Sequence, residues 1–252
     1  MTACKQESSK PLVSAVYPSS NELPENLLRI YIQFSKPMKT LGNIEKIKLV
    51  DIEGNEVKTV FFNNAKELWN SQQTRLSLIL DPARVKTGLR ANEDLGHALK
   101  PNHDYTLIIE GLEDVKHQQM STTFKKKISI TAADTLAPEI NNWKLNIPKA
   151  KSTSNFTVSF PYMLDYISLQ QRLIVTDTNN NPIEGLIKIK NKETQWCFQP
   201  KKPWENGRYI LHINSRLEDP SGNNLNGLFD HKRGSLKNKQ EGVMKNIPFE
   251  IK

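Results

Sequence analysis

The chain has 252 residues, enough for two domains of roughly 100–130 residues, each able to bury a core without a disulfide or metal staple. Hydrophobic residues make up 37% and charged residues 25%, which excludes a wholly disordered chain, and no run of 18 apolar residues is present to cross a membrane as a helix. The formal net charge is +8, but Lys and Arg are dispersed; the densest runs are Lys125-Lys126-Lys127 and Lys201-Lys202, and the balance reads as a solvated surface, not a nucleic-acid footprint.

Residues 1–10 read as a tether. In Met1-Thr2-Ala3-Cys4 small residues precede a cysteine, and a polar, Ser-containing stretch runs from Lys5 to Lys10. The pattern resembles the end of a bacterial lipoprotein signal, with Cys4 as the lipidated residue. The second cysteine, Cys197 in Gln195-Trp196-Cys197-Phe198, reads as a small buried core residue.

From residue 11 onward, short apolar-polar alternations bounded by Gly, Pro and Asn predict strands. In the first half they fall near 12–17, 28–34, 44–51, 56–62, 74–81, 103–110 and 124–131. In the second half they fall near 140–146, 155–160, 170–176, 183–189, 194–199, 207–214 and 246–251. The halves agree in order and spacing. Leu28 to Met38 parallels Asn155 to Met163, Ile47 to Asp51 parallels Arg172 to Asp177, and Tyr105 to Asp114 parallels Tyr209 to Asp219. The expectation is a tandem duplication, with domain 1 over 11–133, domain 2 over 134–252 and the join near Ala133-Asp134. About seven strands per copy predict two antiparallel β-sandwiches of immunoglobulin-like or fibronectin-like type. Tyr105 after Leu99-Lys100-Pro101, and Tyr209 after Pro203-Trp204, have the placing of a tyrosine corner.

Tyr17-Pro18, Leu23-Pro24 and Ile30 through Phe34-Ser35-Lys36-Pro37-Met38 resemble the bacterial immunoglobulin-like domains of S-layer and other surface proteins. Asp219-Pro220-Ser221-Gly222-Asn223 is similar to the turn that follows the sixth strand of such domains. The resemblance implies an all-β fold and a spacer, adhesion or display role. Its motifs specify turns and core, so they speak to fold more than to function.

Chemistry is sparsely signalled. No Gly-x-Ser-x-Gly, no phosphate-cradling glycine loop and no His-x-x-x-His pair occurs. Glu113-Asp114 and Glu218-Asp219 are neighbours on a strand and point to opposite faces, so each reads as a turn and not as an acid–base pair. Asp177 to Asn181 opens like a calcium loop but lacks the glycine and the closing glutamate, and it too reads as a turn. Asp219 with Asn223 is a weak calcium candidate. The 81–100 connection is long in copy one and short in copy two; Arg84, Lys86, Arg90 and His97 on it are candidates for an anionic ligand or a partner. Trp69 and Trp204 lie near loops and are candidate aromatic platforms. Residues 224–245 read as a mobile or partner-docking loop.

The expectation is therefore a non-enzymatic, cofactor-free envelope lipoprotein, anchored to a membrane at the outer-membrane or periplasmic face, with a secreted protein as the alternative. Its partner is an unknown protein or glycan, not nucleic acid. The second reading is a carbohydrate-binding module using the exposed tryptophans and the basic 81–100 loop.

Overall fold

Ile30, Ile32 and Phe34 alternate with Arg29, Tyr31 and Gln33, and the backbone follows that period as an extended strand. The same logic repeats along the chain in a computed structural model that describes residues 10–62, 66–230 and 242–252. The chain divides into two compact units between Ala132 and Ala133.

Domain 1 contains β1 (Val13–Tyr17), β2 (Glu22–Pro24), β3 (Arg29–Phe34), β4 (Ile47–Val50), β5 (Leu68–Trp69), β6 (Arg75–Ile79), β7 (Asp104–Ile109) and β8 (Phe124–Thr131), with short helices α1 (Pro82–Val85) and α2 (Arg90–Leu95) between β6 and β7. One sheet has the order β1-β3-β6-β5 and the other β2-β8-β7-β4. All pairs are antiparallel except β2 with β8, which is parallel. Domain 2 contains β9 (Lys144–Asn146), β10 (Phe156–Ser159), the helix α3 (Tyr166–Gln171), β11 (Leu173–Asp177), β12 (Gly185–Lys190), β13 (Gln195–Pro200), β14 (Gly207–Asn214) and β15 (Met244–Ile251). Its sheets have the orders β12-β13-β10-β9 and β11-β14-β15.

With β2 set aside as an added edge strand and the rest lettered in chain order, each domain carries strands A, B, E and D in one sheet and C, F and G in the other, the immunoglobulin-like arrangement. The fold class is all-β, as two such sandwiches. The tyrosine corners form in both. Tyr105 Oη accepts from Lys100 N at 3.2 Å, and Tyr209 Oη meets both the amide and the carbonyl of Glu205 at 3.3 and 3.2 Å.

The cores explain the strand residues. In domain 1, Ile30, Ile32, Leu76, Leu78, Leu107 and Ile109 are all buried at 3% exposure or less. Domain 2 is more aromatic: Phe156 stacks on Phe249 at 4.2 Å, Trp196 on Phe198 at 5.8 Å, and Trp204 meets Tyr209 edge-on at 5.2 Å. Such rings bury 150–250 Å² each and gain about 0.5–1.5 kcal/mol per pair beyond that burial.

Three local expectations are corrected. Residues 56–62 form no continuous strand but two isolated bridges, Val50 with Glu56 and Phe61 with Leu80. Thr59 between them has φ +54°, which an extended strand does not allow. The strand placed at 170–176 starts at Leu173, because Asp165 caps α3 through Ser168 N at 2.7 Å. The strand placed at 140–146 shrinks to Lys144–Asn146, with one turn of 3-10 helix at Ile140–Asn142 before it.

Candidate binding surfaces

The turns that close strands account for most of the acidic residues singled out above. Asp51, Asp114, Asp177 and Asp219 each accept, through one carboxylate oxygen, the amide of the residue four places on, at 2.7, 2.9, 2.9 and 3.0 Å. In each turn the residue at the third place has positive φ: Gly54, His117, Asn180 and Gly222. Glycine adopts that conformation at no steric cost, and Asn more easily than other residues. Hydrogen bonds from Asn181 and Asn179 hold the Asp177 carboxyl below its usual range.

Asp219 differs from the other three. It is 2% exposed, and Asn223 Nδ2 also donates to its second carboxylate oxygen at 2.9 Å. Burial pushes its carboxyl up to about 8, the Asp134 carboxylate pushes the same way, and the bonds from Asn223 and Ser221 act against both. The Asn223 amide is committed as well. Its nitrogen also reaches the Asp134 carbonyl at 3.2 Å, and its oxygen accepts from Phe229 N at 3.0 Å. The pair therefore ties one turn to residues 134 and 229. Among the described residues no three His, Cys, Asp or Glu side chains are grouped to hold a metal ion.

The 81–100 connection is an ordered cover built around Arg84. Asp81 caps α1 through Ala83 N at 2.9 Å. Arg84, 7% exposed, then donates to the carbonyls of Gly96, Thr59 and His97 at 3.0–3.2 Å, with longer contacts to Lys58 and Leu95. Its guanidinium is filled by main-chain oxygens. Arg90 stands in solvent with Asp94 at 3.4 Å, a pair of little energetic weight. Lys86 is half-buried. Arg84 and His97 line one open cavity of about 750 Å³ with Asp51, Glu56, Lys100 and His103, but Lys86 and Arg90 do not line it. The four basic residues are thus not brought to one point. Sequence reasoning counted them as charges, and only the loop's fold shows which one faces inward.

The tryptophans follow packing. Trp204 is buried at 2% exposure and donates Nε1 to Ser154 O at 2.9 Å. Trp69 is half-buried over Phe34, with its ring nitrogen on Glu67 Oε2 at 2.8 Å. Trp204 thus offers no ring face, and Trp69 has one side against Phe34.

Cys197 is buried at 3% exposure, as expected, but stands outside the aromatic cluster. It pairs across the sheet with Thr157 and Lys188, while its neighbours Trp196 and Phe198 point inward. By strand alternation its thiol lies on the outer face, 3.8 Å from Thr157 Oγ1 and Gln195 Oε1. Cys4, and residues 231–241 of the loop placed at 224–245, lie outside the described residues. Within that loop, residues 224–230 are ordered by Asn224 with Gly227 and by Asn226 Nδ2 on Ser215 O at 3.2 Å.

No protein-family model matches the chain, and no curated protein matches it. Solved structures show weak likeness. The surface layer protein SbsC, domains 1–6, is 10% identical at a TM-score of 0.34, over 97% of this chain and 41% of that one. Native alpha-2-macroglobulin from Escherichia coli, domains MG0-NIE-MG1, is 10% identical at 0.32, over 97% and 91%. The Bacteroides ovatus protein SGBP-B, solved with a mixed-linkage heptasaccharide, is 13% identical at 0.25, over 82% and 44%. The chain spans less than half the length of the S-layer chains it resembles. The strand order within each domain, and not these likenesses, carries the fold assignment.

Proposed function

We propose that the chain is a non-enzymatic binding or scaffolding module of the bacterial cell envelope, held to a membrane by a lipid on Cys4. The observation that carries the binding role is the outer edge of β15. In domain 1 the corresponding strand, β8, has a parallel partner along that edge, with Glu22–Pro24 against Ser129–Thr131. In domain 2 β15 pairs with β14 over eight residues, and no described strand lies on its other side. The outward main-chain groups of such an edge, interrupted at Pro248, which has no N–H, are a template for a short partner strand, which adds affinity through the main chain and selectivity through alternate side chains. Met244 and Pro248 are exposed along it.

The role is tested by placing a photo-crosslinking residue at Met244 or Pro248 in the native host, with Ile52 as an exposed control on domain 1. One discrete adduct from the β15 positions alone supports strand addition. No adduct from either, or the same adducts from Ile52, contradicts it. The reading as a carbohydrate module built on exposed tryptophans has less behind it, since Trp204 is core and Trp69 is covered on one side by Phe34.

A further inference from the structure

The outer face of the β12-β13-β10-β9 sheet combines lysines with amides and hydroxyls and lacks acidic residues. Register places Lys190, Gln195, Ser159 and Lys144 in one row across the four strands. Lys188, Cys197, Thr157 and Asn146 form the next row, and Leu186 with Gln199 follows. The four strands contain no Asp and no Glu. Lys144, Lys188 and Lys190 are exposed, and no carboxylate among the described residues pairs with them. The same sheet of domain 1 turns outward Tyr17, Tyr31, Ser77 and Leu68 in one row, with Arg29 and Arg75 beside it; the outward lysines of domain 1, Lys48, Lys125 and Lys127, lie on its other sheet, whose strands also carry Glu22 and Asp104.

Sheet geometry sets the spacing. Lys188 and Lys190 lie about 7 Å apart along one strand, and Lys190 and Lys144 about 14 Å apart across three strand gaps. Lys188 and Lys190 share one edge strand and Lys144 lies on the opposite edge of the sheet. A ligand that meets all three must carry several charges along an extended chain. Between the lysines stand amides and hydroxyls, Gln195, Ser159, Thr157 and Asn146, which both donate and accept hydrogen bonds. They suit a polymer rich in hydroxyl groups. No aromatic ring on the face can stack a nucleobase, and no arginine fork is present to grip phosphate in two-point fashion.

We infer that this face of domain 2 binds an anionic polysaccharide, a glycan chain carrying carboxylate or sulfate groups. The site goes beyond the β15 edge and does not depend on it. The bound polymer would lie flat across the strands, with anionic groups at Lys190, Lys188 and Lys144 and sugar hydroxyls over the Gln195–Ser159 row. Binding is then polyelectrolyte-like and weakens steeply with salt.

The test titrates the full chain with polygalacturonate and with heparin, beside neutral dextran, single-stranded DNA and phosphatidylglycerol vesicles. Two triple variants are compared. One removes the face (Lys144→Gln, Lys188→Gln, Lys190→Gln). The other removes the same charge from the outer face of domain 1 (Lys48→Gln, Lys125→Gln, Lys127→Gln), and circular dichroism checks that both fold. The expected result is binding to at least one charged glycan and not to dextran, weakened tenfold or more by the first triple and less than twofold by the second. Equal losses in both triples would mean general attraction to the +8 chain and would overturn the site. Tighter binding to DNA or to vesicles would overturn the ligand class. No glycan binding, with self-association gained by the first triple, would mark the lysines as guards of the β12 and β9 edges and overturn the proposal outright.

Discussion

Arg84 gives its guanidinium to carbonyls at residues 59, 96 and 97, all outside helices and strands. Losing it leaves several buried acceptors unsatisfied, each costing about 1–3 kcal/mol. Arg84→Ala is expected to lower unfolding free energy by about 3 kcal/mol, and Arg84→Lys by somewhat less, because a point charge cannot reach the same set of oxygens. Urea unfolding checks this. If either change costs under about 0.5 kcal/mol, the loop is not organised around Arg84. Asp219 makes a prediction of opposite character. Its folded carboxyl sits near 8 against an ordinary 3.8, so between those values the folded state holds a proton that the unfolded state has lost. The contribution is fully present below about pH 4, declines as pH rises and is gone above about pH 8. Thermal unfolding from pH 4 to 8 is expected to show that decline, and Asp219→Asn to flatten it. An unchanged slope in Asp219→Asn would place the titration elsewhere. Residue roles of this kind were only half legible. Asp114 and Asp219 read as turn residues because Asp favours Asx turns, whereas burial of Arg84 and Trp204, and the outward thiol of Cys197, depend on which segments meet in space.

At the scale of elements, alternation located thirteen of the strands because each buries one face. β2 and β5 were not legible, since three and two residues are too short to display a period. α3 was not read as a helix, and its last two residues, Gln170 and Gln171, were taken into a strand, because six residues complete fewer than two helical turns. Close approach is equally hidden in sequence. Gly185 opens β12, and a Cβ there would lie 2.5 Å from Gln199 O and from the Phe198 ring. Gly185→Ala is therefore expected to cost about 1–3 kcal/mol and to loosen the β12–β13 pairing, seen as faster amide exchange at Ile187 and Ile189. Exchange unchanged from the parent would mean that the strand shifts without penalty. The tyrosine corners were legible from a Tyr four or five residues after the bend. Tyr209→Phe should cost about 1 kcal/mol, because the Glu205 amide loses its acceptor.

For the molecule as a whole, two domains share a strand order but differ in what they expose. Domain 1 uses its long 81–100 connection as a cover and pairs β8 with β2, while domain 2 leaves the outer edge of β15 without a described strand and presents lysines on its β12-β13-β10-β9 sheet. The differences lie on surfaces and edges, the parts least constrained by folding and most open to binding. The fold was legible in nearly full outline because patterning follows burial, and the surfaces were not, because nothing in a strand's sequence names its neighbours. The proposed envelope placement rests on Cys4, and it is tested most directly on the full-length protein in its native host. Membrane fractions are separated and the N-terminal peptide is weighed by mass spectrometry. A diacylglyceryl or triacylglyceryl mass on Cys4 with the protein in the membrane fraction is the expected result. An unmodified Cys4 with the protein wholly soluble would contradict it.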